Sequence, residues 1–147
     1  MATIDVLSAN KALVRREMQE VWNEDKLDVL DELYAPDVKV GTRRMGDPAP
    51  LVALSDIKAV HREWDEGFPD ANVRVNELAA EGDVVFAWWT ITGTHTGQFR
   101  GYKPTGNEIA VDGFSVRKIK DGRVVEMKDS ASMTSLLDQI GVQIPPS

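Results

Sequence analysis

The sequence contains no cysteine. Disulfides, thiolate nucleophiles and Cys-ligated zinc are therefore excluded. Histidine is scarce as well. His61 and His95 are the only two, and neither sits in a His-Glu-x-x-His pattern, so no metal site is expected. Basic residues are outnumbered, with 17 Lys and Arg against 24 Asp and Glu, for a net charge of −7. Phosphate backbones and anionic membrane surfaces call for a basic stripe, and none is visible. Neither nucleic acid nor a membrane is expected as a partner. No apolar run approaches the roughly 18 residues of a membrane helix. Residues 1–7 lack the basic start and long apolar core of a secretory signal, so a cytoplasmic protein is expected. Gly-x-Ser-x-Gly, the phosphate loop and the dinucleotide fingerprint are also missing. The glycines at 93, 97, 101 and 106 are too scattered to cradle a phosphate, and no cofactor is expected.

What remains is an ordinary globular composition, 42% hydrophobic and 28% charged over 147 residues. That reads as one domain spanning 1–147, able to bury roughly 70% of the surface its unfolded chain exposes. Apolar residues recur at helical spacing from Ala9 to Trp22 and again from Leu27 to Tyr34, where Ala35-Pro36-Asp37 stops the pattern. Val38 to Val40 reads as a short strand and Gly41 to Ala53 as a loop. Ser55 reads as the N-cap of a third helix reaching Glu66, with Ile57, Val60, His61 and Trp64 on its apolar face. Four strands follow at Asn72–Ala79, Val84–His95, Glu108–Ile119 and Arg123–Ala131, and a closing helix at Met133–Ile140 with Gly141 at its C′ position. Strands joined by short loops imply an antiparallel sheet and an α+β fold. Three helices ahead of one curved sheet can cover its concave face, which creates a pocket between the layers.

Alternation along the strands selects the candidate site. On the last strand Val125, Met127, Asp129 and Ala131 share a face that is apolar except for Asp129. A carboxylate on that face loses hydration and becomes able to take and give a proton near neutral pH. The bland alternative is a buried Asp that caps a loop or pairs with an arginine. A three-residue loop at Lys120-Asp121-Gly122 would pair Ile119 with Arg123, Gly113 with Asp129 and Ser115 with Met127. Ser115 and Arg117 then share the face of Asp129, and Asp112 lies opposite with Phe114 and Val116. His61 falls on the inner face of the third helix, ordinarily a core position. His95 closes the long strand and is expected at the mouth of the cavity, although a structural role is commoner for either histidine. Trp22, Trp64, Trp88 and Trp89 are usually core residues, yet a flat apolar ligand would use such walls.

Several segments together resemble the SnoaL-like proteins. They are Lys11-Ala-Leu-Val-Arg-Arg with Val21-Trp22-Asn23-Glu24, Asp28-Val-Leu-Asp-Glu-Leu-Tyr-Ala-Pro-Asp37, Phe68-Pro69-Asp70, Gly93-Thr-His-Thr-Gly97, Pro104-Thr-Gly106 and Asp121-Gly-Arg-Val-Val-Glu126. The resemblance covers nearly the whole chain in order. It implies the cone-shaped α+β barrel of the nuclear transport factor 2-like superfamily. It also implies polyketide cyclase chemistry, an intramolecular aldol condensation without metal or cofactor. The family's acid/base aspartate, seven residues after the glycine of the Asp-Gly turn, matches Asp129. Its glycine-flanked histidine matches His95, and a pocket position on its first helix matches Trp22. The chain departs from the cyclases at Ser115, where they carry His or Asp, at Met127-Lys128, where they carry His-Trp, and at Lys39-Val40-Gly41, where an Asp-His pair is frequent.

Three readings follow. The first is a cofactor-independent enzyme acting on a small apolar carbonyl compound. Asp129, His95 and Ser115 would be catalytic, and Trp22, His61, Trp64, Trp89, Arg117 and Met127 would bind the substrate. Isomerase or epoxide-opening hydrolase chemistry belongs to the same class. The second is a non-catalytic protein that binds a small hydrophobic molecule, favoured if Arg117 pairs directly with Asp129. The third is an association module. Trp88, Phe114 and Val116 on the uncovered sheet face point to a homodimer or homotetramer.

Overall fold

The structure is a computed structural model in which residues 2–42, 44 and 49–142 are described, with side chains from residue 6 onward. The centre of the expected Gly41–Ala53 loop, at residue 43 and residues 45–48, lies outside the described residues. Helix α1 spans Ala2–Arg16 and continues as a π-helical segment, Glu17–Asn23. Then come α2 (Val29–Leu33), β1 (Tyr34–Val40), α3 (Leu54–Gly67), β2 (Asn72–Glu81), β3 (Val84–Thr94), β4 (Glu108–Lys120), β5 (Arg123–Ala131) and α4 (Met133–Gln139). Among the described residues no helix is long and apolar enough to cross a membrane.

The five strands form one sheet in the order β1-β5-β4-β3-β2. Strands β2 to β5 are an antiparallel meander, whereas β1 joins β5 in parallel. The sheet is therefore mixed, a correction to the antiparallel expectation, and the α+β class stands. Strand β1 starts four residues earlier than its Val38 start in the sequence reading and runs through Pro36. As an edge strand it tolerates a residue with no N–H to donate, and its ladder skips from Tyr34 to Lys39. Ser55 is not the N-cap of α3. The N-cap is Ala53, and the Asp56 carboxylate accepts the backbone N–H groups of Val52 and Ala53 at 2.9 and 3.0 Å. Those bonds hold the Asp56 pKa below its ordinary value.

The turn between β4 and β5 is tighter than expected. Asp121 and Gly122 both take positive φ, 52° and 74°, a two-residue hairpin with Lys120 opposite Arg123. A bulge follows. Ile119 pairs with Val124 and Lys118 with Glu126, so Val125 is the extra residue. Val124 is thus fully buried and Val125 only half-buried, the reverse of the simple alternation. Beyond the bulge Ser115 faces Asp129 and Arg117 faces Met127. The register lies two residues from the expected one, and an even shift preserves the face.

The helices cover one face of the sheet. Val85, Ile91, Val111, Ile119 and Met127 from the strands join Val14, Met18, Val21, Ile57 and Trp64 from the helical side in one buried cluster. The other face leaves Phe86, Trp88 and Phe114 exposed, Phe114 at 58%. After β3 the chain packs back onto the end of α3, where the N–H groups of Thr96 and Gly97 reach the Gly67 carbonyl at 3.2 Å. A Cβ on Gly97 would lie 1.8 Å from the Glu66 carbonyl oxygen, a backbone atom. Gly97→Ala is expected to lower stability by more than about 2 kcal/mol, measured by denaturant unfolding, because backbone must move to admit one methyl group.

Candidate active site

The parity of β3, β4 and β5 directs Trp89, Ser115, Arg117 and Asp129 to the covered face. There they meet Met18 and Trp22 from the first helical stretch and Ile57, Val60 and Trp64 from α3, around a cavity of about 80 Å³. One water needs roughly 10–15 Å³ on such a measure, so the space can hold a small ligand or several waters. The walls are aromatic and aliphatic. Polar groups come from Thr42, Ser115, Arg117 and Asp129, with Arg44 on the loop side, where it is held by Glu63 at 2.9 Å.

Arg117 organises the polar end. It is 1% exposed, and each guanidinium nitrogen has a partner. Nε donates to Glu17 Oε1 at 3.1 Å and Nη2 to Glu17 Oε2 at 3.0 Å. Nη1 donates to Asp129 Oδ1 at 2.6 Å and to the Val116 carbonyl at 3.2 Å. Tyr34 donates its hydroxyl to Glu17 Oε2 at 2.8 Å. Burial works against the charged guanidinium, but the Asp129 and Glu17 carboxylates outweigh it and hold the Arg117 pKa well above its ordinary value. Burial likewise pushes the Tyr34 phenol well above its usual range. The two carboxylates differ in access. The Glu17 side chain is 2% exposed and that of Asp129 27%, and only Asp129 lines the cavity. The Asp129 N–H donates to Thr42 Oγ1 at 2.9 Å, which fixes the backbone behind the carboxylate.

Ser115 is set by a glycine. A Cβ on Gly113 would fall 2.2 Å from the Trp89 ring, so the bare backbone lets the indole lie across β4. In that position Trp89 Nε1–H donates to Ser115 Oγ at 2.8 Å. The serine oxygen is used as an acceptor there, and its own hydrogen remains for an acceptor in the cavity.

The structure thus gathers Trp22, Trp64, Trp89, Ser115, Arg117 and Asp129 around one space. It places three other candidates elsewhere. His95 is wholly buried, not at the cavity mouth. Its ring stacks on Phe68 with centroids 5.2 Å apart, Nδ1 accepts the Thr105 N–H at 3.2 Å, and Nε2 has no hydrogen-bond partner among the described residues. The glycine-flanked segment turns this histidine inward toward the end of α3. His61 lines a crevice of about 10 Å³ behind Trp22, with Nε2 2.7 Å from the Val21 carbonyl oxygen. Met127 is 2% exposed and belongs to the core rather than to the cavity wall. Glu17, Tyr34 and Thr42 were missed in the sequence. For Glu17 a signal exists, since Asn10, Val14, Glu17 and Val21 form a helical stripe and all are buried. Among the described residues no group of three or more His, Cys, Asp or Glu is arranged to hold a metal ion.

The chain matches the description SnoaL-like polyketide cyclase over residues 12–140. No curated protein sequence matches it. Among solved structures, a candidate SnoaL-like polyketide cyclase from Jannaschia sp. CCS1 is 25% identical, covering 96% of this chain and 96% of that chain with a TM-score of 0.81. AclR, a candidate hydroxylase from Streptomyces galilaeus, is 28% identical over 96% of this chain and 90% of its own, TM-score 0.81. IdmH, a candidate polyketide cyclase from Streptomyces antibioticus, is 26% identical over 90% of this chain and 99% of its own, TM-score 0.80. The matched span holds every strand of the sheet and every described residue that lines the cavity, and the chain belongs to the SnoaL-like polyketide cyclase family.

Proposed function

We propose that this protein is a cofactor-independent acid–base enzyme acting on a small apolar carbonyl compound, by intramolecular aldol condensation or a related isomerase or hydrolase reaction. One observation carries the reading: among the described residues Asp129 is the one carboxylate on a cavity walled mainly by aromatic and aliphatic side chains. Its Oδ1 is held by Arg117, which leaves Oδ2 for the substrate. In the condensation Oδ2 takes a proton from the carbon alpha to a carbonyl, and the electron pair moves onto that carbonyl oxygen. The Ser115 hydroxyl, backed by the Trp89 N–H, donates to the enolate oxygen as charge develops there. The enolate carbon then attacks a second carbonyl carbon of the same molecule, and Asp129 returns its proton to the new alkoxide. Trp22 and Trp64 supply flat walls that hold the two carbons in line. The fold neighbours include one named as a hydroxylase and others named as cyclases. Family membership therefore leaves the reaction open, and the choice rests on the site itself.

A specific observation favours a second reading, a non-catalytic binding protein. The 2.6 Å contact of Arg117 with Asp129 is a direct ion pair, which gives the carboxylate a structural task as the partner of a buried guanidinium. Mutation separates the two. Asp129→Asn keeps shape and hydrogen bonding but cannot carry the proton. On a compound turned over by the wild type it is expected to lower kcat by about 10²–10⁴-fold with ligand affinity nearly unchanged. Ser115→Ala is expected to cost less, since a water can donate in place of the hydroxyl. Undiminished kcat in Asp129→Asn would leave only the binding reading.

The protein associates, in this account, through the outer sheet face as a homodimer or homotetramer. Phe86, Trp88 and Phe114 lie together there, with Trp88 opposite Phe114 across β3 and β4, an apolar patch that favours burial against a second copy. Light scattering at micromolar concentration is expected to give a multiple of the 16.3 kDa chain mass, and Phe114→Glu to reduce it to the monomer. A monomeric wild type would refute the association.

A further inference from the structure

Behind the cavity wall, one positive charge faces two negative ones. Glu17 occupies Nε and Nη2 of Arg117 and Asp129 takes Nη1. With Arg117 and Asp129 alone, the guanidinium would hold the carboxylate firmly ionised, and such a carboxylate is a poor base. Glu17 lies outside the cavity lining, at the first residue of the π-helical segment. The segment is pinned at its far end, where Asn23 Nδ2 donates to the Val73 carbonyl at 2.9 Å and Oδ1 accepts the Val73 N–H at 2.7 Å. Segments of this type recur at functional sites. The Tyr34 hydroxyl completes the cage around Glu17.

We infer that Glu17 is a positioning residue that acts through Arg117: it leaves the buried cluster one negative charge in excess, so that the Asp129 carboxylate can accept a proton from a substrate. No other charge near the site does this among the described residues. Tyr34 stays neutral, because burial disfavours its anion. Arg44, on the loop side of the cavity, is engaged with Glu63. Lys128 is exposed, on the strand position that alternates away from Asp129. His61 lies beyond Trp22 in its own crevice. The catalytic half of the inference rests on the acid–base reading above; the electrostatic half does not.

The test is a carboxyl titration by carbon-13 NMR on the ligand-free protein. Glu17→Gln keeps the shape of the side chain and removes its charge. The titration midpoint of Asp129 is expected to fall by about one pH unit or more, because the guanidinium then acts on Asp129 alone. In turnover assays the low-pH limb of the profile, set by ionisation of Asp129, should move to lower pH with it. Tyr34→Phe keeps both carboxylate charges and is expected to move the midpoint far less. A folded Glu17→Gln protein with an unshifted midpoint overturns the inference. If that variant fails to fold, the wild type decides: Glu17 must stay ionised across the whole range in which Asp129 titrates, and a Glu17 carboxyl that takes up its proton first overturns the inference. The titration needs no substrate. A shifted midpoint combined with full turnover by Asp129→Asn would leave this charge assignment standing and remove the acid–base reading alone.

Discussion

Arg117 reaches from the middle of β4 into the interior, where it is 1% exposed, and it is charged there. Stripping an ion of its hydration costs several kcal/mol, and only close opposite charges and full hydrogen bonding offset that cost. The chain meets the requirement from every side. Glu17 arrives from the first helical stretch, 100 residues away in sequence, Tyr34 from the start of β1, and Asp129 from β5. The same interaction therefore ties the helical layer to three strands of the sheet. Removing Arg117 would leave the Glu17 carboxylate buried without a compensating charge, typically worth about 3–5 kcal/mol. The polar end of the cavity is thus part of the framework, and its geometry is fixed before any ligand enters.

The rest of the site follows from what is left small or apolar around that cluster. Gly113 offers no side chain on the covered face of β4, so Trp89 can fold across the strand and bind Ser115. The tryptophan then serves both as a wall and as the donor that orients the serine. Thr42 secures the backbone of Asp129, and aromatic and aliphatic side chains make up most of the wall around the carboxylate. Against largely apolar walls, a carboxylate and a hydroxyl act on a carbonyl more strongly than they do in bulk water.

Much of this was legible in the sequence because it depends on parity. Strand alternation put Ser115, Arg117 and Asp129 on one face, and an error of two residues in register left that face unchanged. The bulge at Val125 was not legible: nothing in Arg123-Val124-Val125-Glu126 says which valine is the extra one, and a tight Asp-Gly turn sets it. The placement of His95 failed for a different reason. Its flanking glycines signal a close approach of backbone, and Gly97 does approach Glu66, but they do not say which way the ring turns. Glu17 carries only a weak signal, since a charged residue on a helix usually faces solvent, and only the burial of its neighbours at helical spacing marks it as interior. Thr42 follows a strand in a loop and carries no periodic signal. The parallel pairing of β1 with β5 depends on contacts across most of the chain, which local patterns cannot report.

The central claim is that Asp129 moves protons at carbon within the cavity. Deuterium incorporation tests it without knowledge of the natural product. A small apolar ketone shown to bind is incubated with the protein in D2O, and exchange of the hydrogens alpha to its carbonyl is followed by NMR. The account predicts incorporation well above the uncatalysed rate with the wild type and none above that rate with Asp129→Asn. Equal incorporation by the two proteins, or no acceleration by the wild type of any bound ketone, would contradict it.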